Sequence, residues 1–254
     1  MTVWIAMPAY NEAARLPALL SRWVEVTGKL GTSHRYVIVD DGSADATPDL
    51  LRSFSATQSA RIITHPSNVG LGASLRDGLR FVADHAEDDD VVVMMDADNT
   101  QPPELLPEML ERMKFCGCDV VIASRYRSGS QVLGLSWLRR LLSFGAGVVF
   151  RVIFPIRGVR DYTCGYRLYR VGLIKRAFER YGSRFCDRSG FECTVDILLR
   201  LAQLGAGFDE VAMTLNYIDK AGHSSMSVGR TTLGTVKLIL ARRWERLCGG
   251  HSRN

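Results

Sequence analysis

The first 124 residues repeat one pattern, in which a short apolar run is followed by a polar loop and then by apolar residues at helical spacing. Runs this short fit buried parallel strands better than amphipathic helices. The predicted strands are residues 3–7, 35–39, 60–64, 91–95 and 119–123. The predicted helices are residues 13–26 with Asn11 as N-cap, a helix capped by Asp45 or Thr47, one ending near 85, and 104–115. The pattern predicts an α/β fold with a mostly parallel sheet, right-handed crossovers and helices on both faces.

The chain is organised around the fourth apolar run, which ends at Asp96-Ala97-Asp98. Two carboxylates at this spacing can converge on one cation, and Pro102-Pro103 then end the strand and open a helix. The carboxyl edge of an α/β sheet is where phosphorylated ligands bind. We therefore expect Asp96 and Asp98 to hold a metal beside such a ligand. The alternative is a solvated turn that caps the next helix.

Each of the other predicted strands in this half also leads into a polar loop. Asn68 and Gly70 belong to a loop whose glycines allow close backbone approach, and the convergence of such loops predicts a nucleotide site. No GxGxxG follows the first strand, which argues against a dinucleotide-binding dehydrogenase. No GxxxxGK[ST] occurs, which excludes the phosphate-loop NTPases.

After residue 126 the pattern changes. Residues 131–156 place apolar side chains at helical spacing with Arg139 and Arg140 on a flank, which is typical either of a core helix with solvated arginines or of a basic amphipathic segment at a bilayer interface. We favour the interfacial alternative because Trp137 and arginines flank the apolar face. The remaining elements are an extended stretch at 161–169 with an inward Arg167, a helix at 190–204, a strand near 210–217 and a basic helix at 233–247.

Charge is distributed unevenly along the 254 residues. Residues 1–124 carry 10 Lys and Arg against 18 Asp and Glu, whereas residues 125–184 carry 13 against 2. The basic block is rich in apolar residues, which favours a membrane surface over nucleic acid as its partner. We expect one catalytic domain at 1–230, which contains the interface segment 131–156, and a basic tail at 231–254.

Three further features predict where in the cell the protein is located. The start has no basic region before its apolar run, so no signal peptide is expected. Arg151 interrupts the longest apolar stretch, so no segment should span a bilayer. The six cysteines have no CxxC spacing and are expected to be reduced thiols. These features predict a cytoplasmic protein that associates peripherally with the membrane.

Seven motifs occur in order along nearly the whole chain: PAYNE (8–12), VDDGS (39–43), NVGLGASLRDG (68–78), DADNTQPPE (96–104), ASRYRSGS (123–130), DYTCGYRLYR (161–170) and GHSSMSVGRT (222–231). Together they resemble the inverting family 2 glycosyltransferases, and within them the dolichyl-phosphate (polyprenyl-phosphate) mannosyltransferases. The resemblance implies a GT-A fold, a nucleotide-sugar donor and a divalent cation.

Site residues carry over from the family only where the motifs match. The resemblance implies donor contacts at Pro8, Tyr10, Glu12 and Asp41, beside the loop of Asn68 and Gly70; metal carboxylates at Asp96 and Asp98; and acceptor-phosphate contacts at Arg125, Arg139 and Ser143. The chain departs from the family in two places. Thr100 stands where a metal-binding Gln is common, so the further ligand is Thr100, a shifted Gln101 or water, and Lys220 precedes Gly222 where an arginine is frequent.

The acceptor determines what catalysis needs. A phosphate monoester is already largely dianionic near neutral pH, since its second pKa is about 6, so it requires guanidinium groups for positioning and no general base. An alcohol acceptor would require a base, for which Asp161 and Glu192 are candidates; Arg167 and Lys220 are further candidates for acceptor or diphosphate contacts. The alternative for Arg125 and Arg167 is an ordinary ion pair with Asp161 or Glu192.

The favoured function is transfer of mannose from GDP-mannose to a polyprenyl phosphate with Mg²⁺ or Mn²⁺ at the cytoplasmic membrane face. The alternatives are a UDP-sugar donor such as UDP-glucose, a saccharide or alcohol acceptor, and a module that binds without catalysis.

Overall fold

Strands and helices alternate through the first half of the computed structural model, as the hydrophobic pattern predicts. The structure describes residues 1–134, 137–188, 190, 192–217 and 228–248. Within these ranges, the side chains of residues 137–143, 146, 228–233, 244 and 246–248 are not described.

The strands follow the apolar runs closely. They are β1 Val3–Ala9, β2 His34–Asp40, β3 Ala60–Thr64, β4 Val91–Met94, β5 Val120–Ser124, β6 Gln131–Leu133, β7 Arg167–Arg170, β8 Phe208–Ala212 and β9 Thr214–Asn216. Strands β1 to β5 match the five predicted strands to within two residues at either end.

The helices are less well matched at their starts. They are α1 Leu16–Lys29, α2 Thr47–Thr57, α3 Leu71–His85, α4 Leu106–Cys116, α5 Trp137–Ile153, α6 Val171–Tyr181, α7 Glu192–Gln203 and α8 Val228–Cys248, with a 3₁₀ turn at Pro103–Leu105. Asn11 is not the N-cap of α1, because it has left-handed backbone (φ 54°) and its side chain accepts the amide of Ala44. Ala46 occupies the N-cap position of α2, and Asp45, one residue earlier, accepts the amide of Thr47 at the start of the helix at 2.9 Å.

The main sheet has the order β3-β2-β1-β4-β7-β5-β8. All neighbouring pairs are parallel except those of β7, which runs antiparallel to both β4 and β5. The order reverses between β1 and β4, so the loops that follow these two strands diverge to opposite faces and leave a crevice at the carboxyl edge. The predicted mostly parallel α/β fold is confirmed.

A second sheet of two strands, β6 and β9, lies over that edge. Its members are parallel, with Val132 opposite Leu215. The amide of Asn216 donates to the carbonyl of Thr100 at 3.0 Å. This bond attaches the small sheet to the loop that carries Asp96 and Asp98.

The tail helix α8 packs into the protein. Its Arg242 is 1% exposed and donates to both carboxylate oxygens of Asp196 on α7, at 2.5 and 2.7 Å. The sequence predicts a basic helix here, and the structure adds that one of its arginines, Arg242, has a buried partner in Asp196. The boundary at residue 231 falls inside α8, and the division into 1–230 and 231–254 stays a prediction.

The cysteine prediction is wrong in one place. Cys116 and Cys118 form a disulfide at the end of α4. Gly117 between them has left-handed backbone (φ 63°), which folds Cys118 back toward Cys116. Cys164, Cys186 and Cys193 are buried free thiols, as expected. Among the described helices, none combines the length and the apolar character that a membrane crossing requires.

Candidate active site

Two loops at the carboxyl edge, those after β1 and β2, are joined by hydrogen bonds. The amide of Asn11 donates to Ser43 Oγ at 3.0 Å, and the amide of Glu12 donates to Thr47 Oγ1 at 2.9 Å. In return the amide of Ala44 donates to Asn11 Oδ1 at 2.8 Å. The PAYNE and VDDGS motifs therefore form one rigid surface.

Asp41 links this surface to the glycine loop. Its carboxylate accepts the amides of Val69 and Gly70, both at 3.0 Å, and lies 2.7 Å from Nδ1 of His65. Gly70 has a φ of 98°, and this unusual backbone turns its amide toward Asp41. The structure thus gives Asp41 the task of holding the loop of residues 65–70. Its predicted contact with the donor stays a prediction.

The other predicted donor residues share the same edge. Pro8 lies near the end of β1, Tyr10 is exposed, and Glu12 forms an ion pair with Arg15 at 3.0 Å. Asn68 is exposed on the glycine loop. The structure brings these side chains to one side of the crevice beside β1, as the motif order suggests, but their contacts with a donor are untested.

Asp96 and Asp98 follow β4 on the opposite side of the crevice. Thr100 donates both its hydroxyl, at 2.7 Å, and its amide, at 3.1 Å, to the same oxygen of Asp98, Oδ1. Gln101 accepts the amide of Asp96 and donates to Asp96 Oδ2, both at 3.4 Å. Thr100 and Gln101 are both buried. Both side chains thus orient the carboxylates. Whether Thr100 or Gln101 is also a metal ligand stays a prediction.

This donor set fits a hard divalent cation. Both groups are carboxylates, and Mg²⁺ is commonly held by one or two carboxylates with substrate phosphates completing its shell. In the part of the chain that the structure describes, no three His, Cys, Asp or Glu side chains are grouped to hold a metal by themselves. Two aspartates with room for diphosphate oxygens are therefore consistent with a cation that arrives with its nucleotide.

The start of α7 closes the crevice beside Asp96. A Cβ placed on Gly165 would lie 3.8 Å from Asp96 Oδ1 and 3.7 Å from the Thr194 methyl group, so a larger side chain there would crowd the carboxylate. Burial, and then the charges of Glu192 and Asp96, raise the pKa of the Cys193 thiol well above its ordinary value. Cys193 thus lies between the two acidic groups.

Glu192 itself lies under α8. A Cβ added to Gly234 would come within 2.7 Å of its Cδ, and one added to Gly190 within 2.4 Å of its Oε2. The carboxylate is therefore enclosed by glycine backbone at the first position of α7. This placement keeps Glu192 near the crevice as the alternative base.

Arg125 and Asp161, which the sequence analysis assigned to the acceptor, bind each other. Arg125 donates from Nε at 2.8 Å and from Nη2 at 2.6 Å to the two carboxylate oxygens of Asp161. Burial by itself would raise the pKa of Asp161, but the charge and hydrogen bonds of Arg125 hold that pKa below its usual value. A buried carboxylate held ionised in this pair is poorly suited to serve as a base. The pairing also leaves the predicted phosphate contact of Arg125 without support.

Arg167 is fully buried, at 0% exposure. Its guanidinium donates to the carbonyls of Thr194 at 2.6 Å and Tyr162 at 2.8 Å. The prediction of an inward-aimed arginine is confirmed, whereas its predicted contact with acceptor or diphosphate is not supported by this burial. Arg167 instead ties β7 to the start of α7.

Three of the predicted site residues have side chains that the structure does not describe. Arg139 and Ser143 are on α5, within the stretch whose side chains are not described. Lys220 lies outside the described residues, together with most of the GHSSMSVGRT motif.

Sequence reasoning missed two residues at the site. Tyr217 follows Asn216, whose amide donates to the carbonyl of Thr100 on the aspartate loop. Burial, and then the charge of Asp98, raise the pKa of Tyr217 to about 12. His65 bridges Asp41 and Asp77, at 2.7 and 3.1 Å. His65 directly follows the predicted strand 60–64, and that position was the signal available for it. The signal available for Tyr217 was its position at the end of the predicted strand near 210–217.

Comparison with protein families gives a match over most of the chain. A family model described as Glycosyl transferase family 2 matches residues 4–178. An undecaprenyl-phosphate mannosyltransferase from Micrococcus luteus is 31% identical over 97% of this chain and 98% of its own. A polyprenol monophosphomannose synthase from Mycolicibacterium smegmatis is 30% identical over 88% of this chain and 80% of its own.

Solved structures share the fold at lower identity. Mannosyl-3-phosphoglycerate synthase from Rubrobacter xylanophilus superposes with a TM-score of 0.69 at 18% identity, covering 100% of this chain and 77% of that one. Glucosyl-3-phosphoglycerate synthase from Mycobacterium tuberculosis, crystallised with Mn²⁺, UDP and glucosyl-3-phosphoglycerate, gives 0.61 at 16% identity, covering 94% and 77%. These likenesses show the GT-A fold.

Proposed function

The chain belongs to glycosyl transferase family 2, and from that premise we propose that it moves mannose from GDP-mannose to a polyprenyl phosphate, such as dolichyl phosphate, with inversion. The observation that carries this proposal is the end-to-end similarity to an undecaprenyl-phosphate mannosyltransferase, whose name gives both the sugar and the class of acceptor. A UDP-sugar such as UDP-glucose is the alternative donor, because a structural neighbour was crystallised with UDP.

The donor would lie across the switch point between β1 and β4. Pro8, Tyr10, Glu12 and Asp41 are proposed to line the nucleoside side, with Asn68 and Gly70 behind them. Asp96 and Asp98 would hold Mg²⁺ or Mn²⁺, which when bound would neutralise charge on the departing nucleoside diphosphate. Thr100 and Gln101 orient the two carboxylates through the bonds described above. Residue 165 packs directly beside Asp96, since a Cβ on Gly165 would be in ordinary contact with the carboxylate.

If the acceptor is a phosphate, transfer requires no general base, and Asp161 does not have to act as one. Held as a buried carboxylate by Arg125, Asp161 is better suited to fixing the backbone of residues 163 and 164, whose amides it accepts at 3.3 and 3.1 Å. Arg139 and Ser143 are proposed to bind the acceptor phosphate, four residues apart and therefore on one face of α5. Glu192 would serve as the base if the acceptor were an alcohol.

The acceptor's polyprenyl chain requires a route into lipid, and α5 offers one. Phe144 and Val152 are 52% and 76% exposed, and Val148 and Val149 between them are also exposed. On α8, Val236 and Leu240 are exposed as well. We propose that these faces bind the membrane peripherally, at its cytoplasmic side.

The decisive experiment is transfer of radiolabel to lipid. Purified full-length protein is incubated with Mn²⁺, a polyprenyl phosphate and either labelled GDP-mannose or labelled UDP-glucose. Label in the lipid phase from GDP-mannose, lost on EDTA treatment, is the expected result. Label in the lipid phase from UDP-glucose instead would show that the donor is a UDP-sugar and that the acceptor is still the polyprenyl phosphate. Label only in soluble products, with a saccharide or simple alcohol as acceptor, would contradict the lipid acceptor.

Variants separate phosphate from alcohol chemistry. Removing Arg139 in Arg139→Ala should lower acceptor-dependent transfer about ten- to a hundredfold, since charge-assisted bonds contribute roughly 1.5–3 kcal/mol. Slow hydrolysis of the donor should survive, and Arg139→Lys should restore activity only in part. Loss of all transfer in Glu192→Gln beside an active Arg139→Ala would favour an alcohol acceptor instead.

A further inference from the structure

Arg22 on α1 reaches across to the loop that follows Asp98. Its Nη1 donates to Asn99 Oδ1 at 2.7 Å. Its Nε and Nη2 donate to the two oxygens of Glu104, at 2.8 and 2.6 Å. One planar guanidinium thereby joins the middle of the aspartate loop to the 3₁₀ turn that ends it.

Asn99 occupies a backbone conformation that needs support. Its φ is 56°, in the left-handed region that side chains other than glycine enter at a cost. Asparagine tolerates this region best because its side chain can hydrogen-bond locally. Here the side chain bonds to Arg22. Asn99 lies between Asp98 and Thr100, whose amide and hydroxyl both donate to Asp98 Oδ1.

We propose that Arg22 is a positioning residue for the cation site, which fixes the left-handed turn at Asn99 and so holds Asp98 in place for the metal. This inference rests on the cation assigned to Asp96 and Asp98 in the proposed function. Arg22 touches neither aspartate in any described contact, so its influence passes through Asn99. The planar guanidinium of arginine can donate to Asn99 and Glu104 at once in fixed directions, which the ammonium group of a lysine cannot do.

Because Arg22 acts on Asp98 through Asn99, its removal should lower metal affinity less than removal of a residue that contacts the ligand directly. Residues that orient a metal ligand directly are worth roughly ten- to a hundredfold in metal affinity. Arg22 acts one contact further away and is half-exposed with Glu104, so roughly three- to tenfold weaker binding is expected for Arg22→Ala. Once metal is saturating, turnover should return close to that of the unaltered protein.

The test uses full-length protein and two readouts. Mn²⁺ is titrated in the presence of GDP, with bound ion followed by electron paramagnetic resonance. Amide hydrogen exchange of residues 96–101 is measured without metal or nucleotide. The variants are Arg22→Ala, Arg22→Lys and Glu104→Gln. The matched control is Lys29→Ala on the same helix, which removes an exposed pair with Glu25 at 2.6 Å that touches no loop.

The expected result is a three- to tenfold rise in the Mn²⁺ dissociation constant for Arg22→Ala, faster exchange at the Thr100 amide, and a melting temperature like that of Lys29→Ala. Arg22→Lys and Glu104→Gln should fall between. Unchanged Mn²⁺ affinity and unchanged exchange in Arg22→Ala would overturn the positioning role while leaving the metal intact. If the unaltered protein itself takes up no Mn²⁺, the cation assignment and the role of Arg22 fall together.

Discussion

Asp98 and Asp161 are the same residue type in opposite surroundings. Asp98 lies half-buried on a loop and accepts bonds from its close neighbour Thr100. Asp161 is 0% exposed and bound to a guanidinium from a distant part of the chain. A carboxylate of the first kind can exchange partners with a metal, whereas one of the second kind stabilises the fold. The two should therefore respond differently to substitution.

Replacing Asp98 should affect activity and leave stability almost unchanged. Asp98→Ala removes a proposed metal ligand from a loop, and we expect transfer to fall by roughly a thousandfold or more. Thr100→Val keeps the shape but removes the hydroxyl bond to Asp98, and should cost about tenfold at limiting Mn²⁺. Steady-state transfer assays over a range of Mn²⁺ concentrations measure both effects.

The control for these variants is Asp88→Ala, which removes an exposed carboxylate paired with Lys175 at the far end of β4. Its activity should match that of the unaltered protein. Near-normal transfer by Asp98→Ala, or by the unaltered protein after EDTA treatment, would remove the aspartates from the metal assignment.

Replacing Asp161 should affect stability first. Asp161→Asn leaves Arg125 buried without its counter-charge, which costs about 3–5 kcal/mol of unfolding free energy. Because the pKa of Asp161 is lowered in the fold, the pair contributes in full above the unfolded pKa, about 3.9, and its contribution is lost as pH falls through the folded value. Urea unfolding should show the difference between protein and variant at pH 7, with the gap narrowing below about pH 4.

The exposed pair of Arg52 and Asp49 provides the comparison, since Asp49→Asn should change little at either pH. Equal stability of Asp161→Asn and the unaltered protein at pH 7 would show that the buried pair is dispensable. Loss of activity with full stability would return Asp161 to the role of base.

At the scale of elements, α5 combines a buried side with an apolar side that faces outward. Phe150 on the helix and Phe154 just beyond its end are buried, while Phe144, Val148 and Val152 are exposed. Changing those three exposed residues to Ser should release the protein from liposomes and raise the apparent KM for lipid acceptor, with donor affinity unchanged. Sedimentation with vesicles and donor titration measure the two quantities.

A control for α5 is available on α4. Phe115 is 84% exposed and lies at the end of that helix, so Phe115→Ser removes a comparable apolar surface from another element. It should leave vesicle binding as it was. Unaltered sedimentation of the triple variant would mean that α5 does not contact lipid.

The tail helix α8 offers two adjacent arginines with different surroundings. Arg242 is buried against Asp196, whereas Arg243 is exposed. Arg242→Ala should lower the unfolding free energy by up to about 3–5 kcal/mol, because it leaves the buried Asp196 charge with only the longer contact to Arg200 at 3.5 Å. Arg243→Ala should stay within about 0.5 kcal/mol. Urea titration compares them, and similar values for both would mean that α8 is not docked on α7 as described.

The sequence predicted the elements whose pattern is local. The apolar runs located β1 to β5, and the motif order located the loops that meet at the carboxyl edge. The pairing of Arg125 with Asp161 joins residues 36 apart, and that of Arg242 with Asp196 joins residues 46 apart. The sequence offered the first pair only as an alternative and did not indicate the second, because the partner of an arginine depends on which carboxylate the fold brings to it. The antiparallel β7 was missed for the same reason, since strand direction depends on the path of the chain between β5 and β7.

At the scale of the whole molecule, the charge of the chain changes after β5. The acidic first half contains β1 to β5, and the basic block begins at Arg125 and includes α5 and α6. Exposed arginines at 151, 157 and 160 lie at or beyond the end of α5, close along the chain to its exposed apolar residues. Apolar and basic groups on one side of the molecule are what an anionic bilayer binds.

This arrangement predicts that membrane binding depends on charge as well as on apolar contact. A basic residue near an anionic surface contributes about 1 kcal/mol, so Arg157→Gln with Arg160→Gln should weaken binding to phosphatidylglycerol vesicles by roughly tenfold or more. Raising salt from 0.05 to 0.5 M should weaken the unaltered protein more than this variant, because screening removes what the variant has already lost. Binding to neutral phosphatidylcholine vesicles should be weaker and insensitive to both changes. Arg35→Gln with Arg52→Gln, two exposed arginines of the acidic half, is the matched control and should bind as the unaltered protein does. If both double variants lose affinity equally, only net charge matters; the basic side of the molecule then does not orient it on the membrane, and α5 loses its support as the element that meets the lipid.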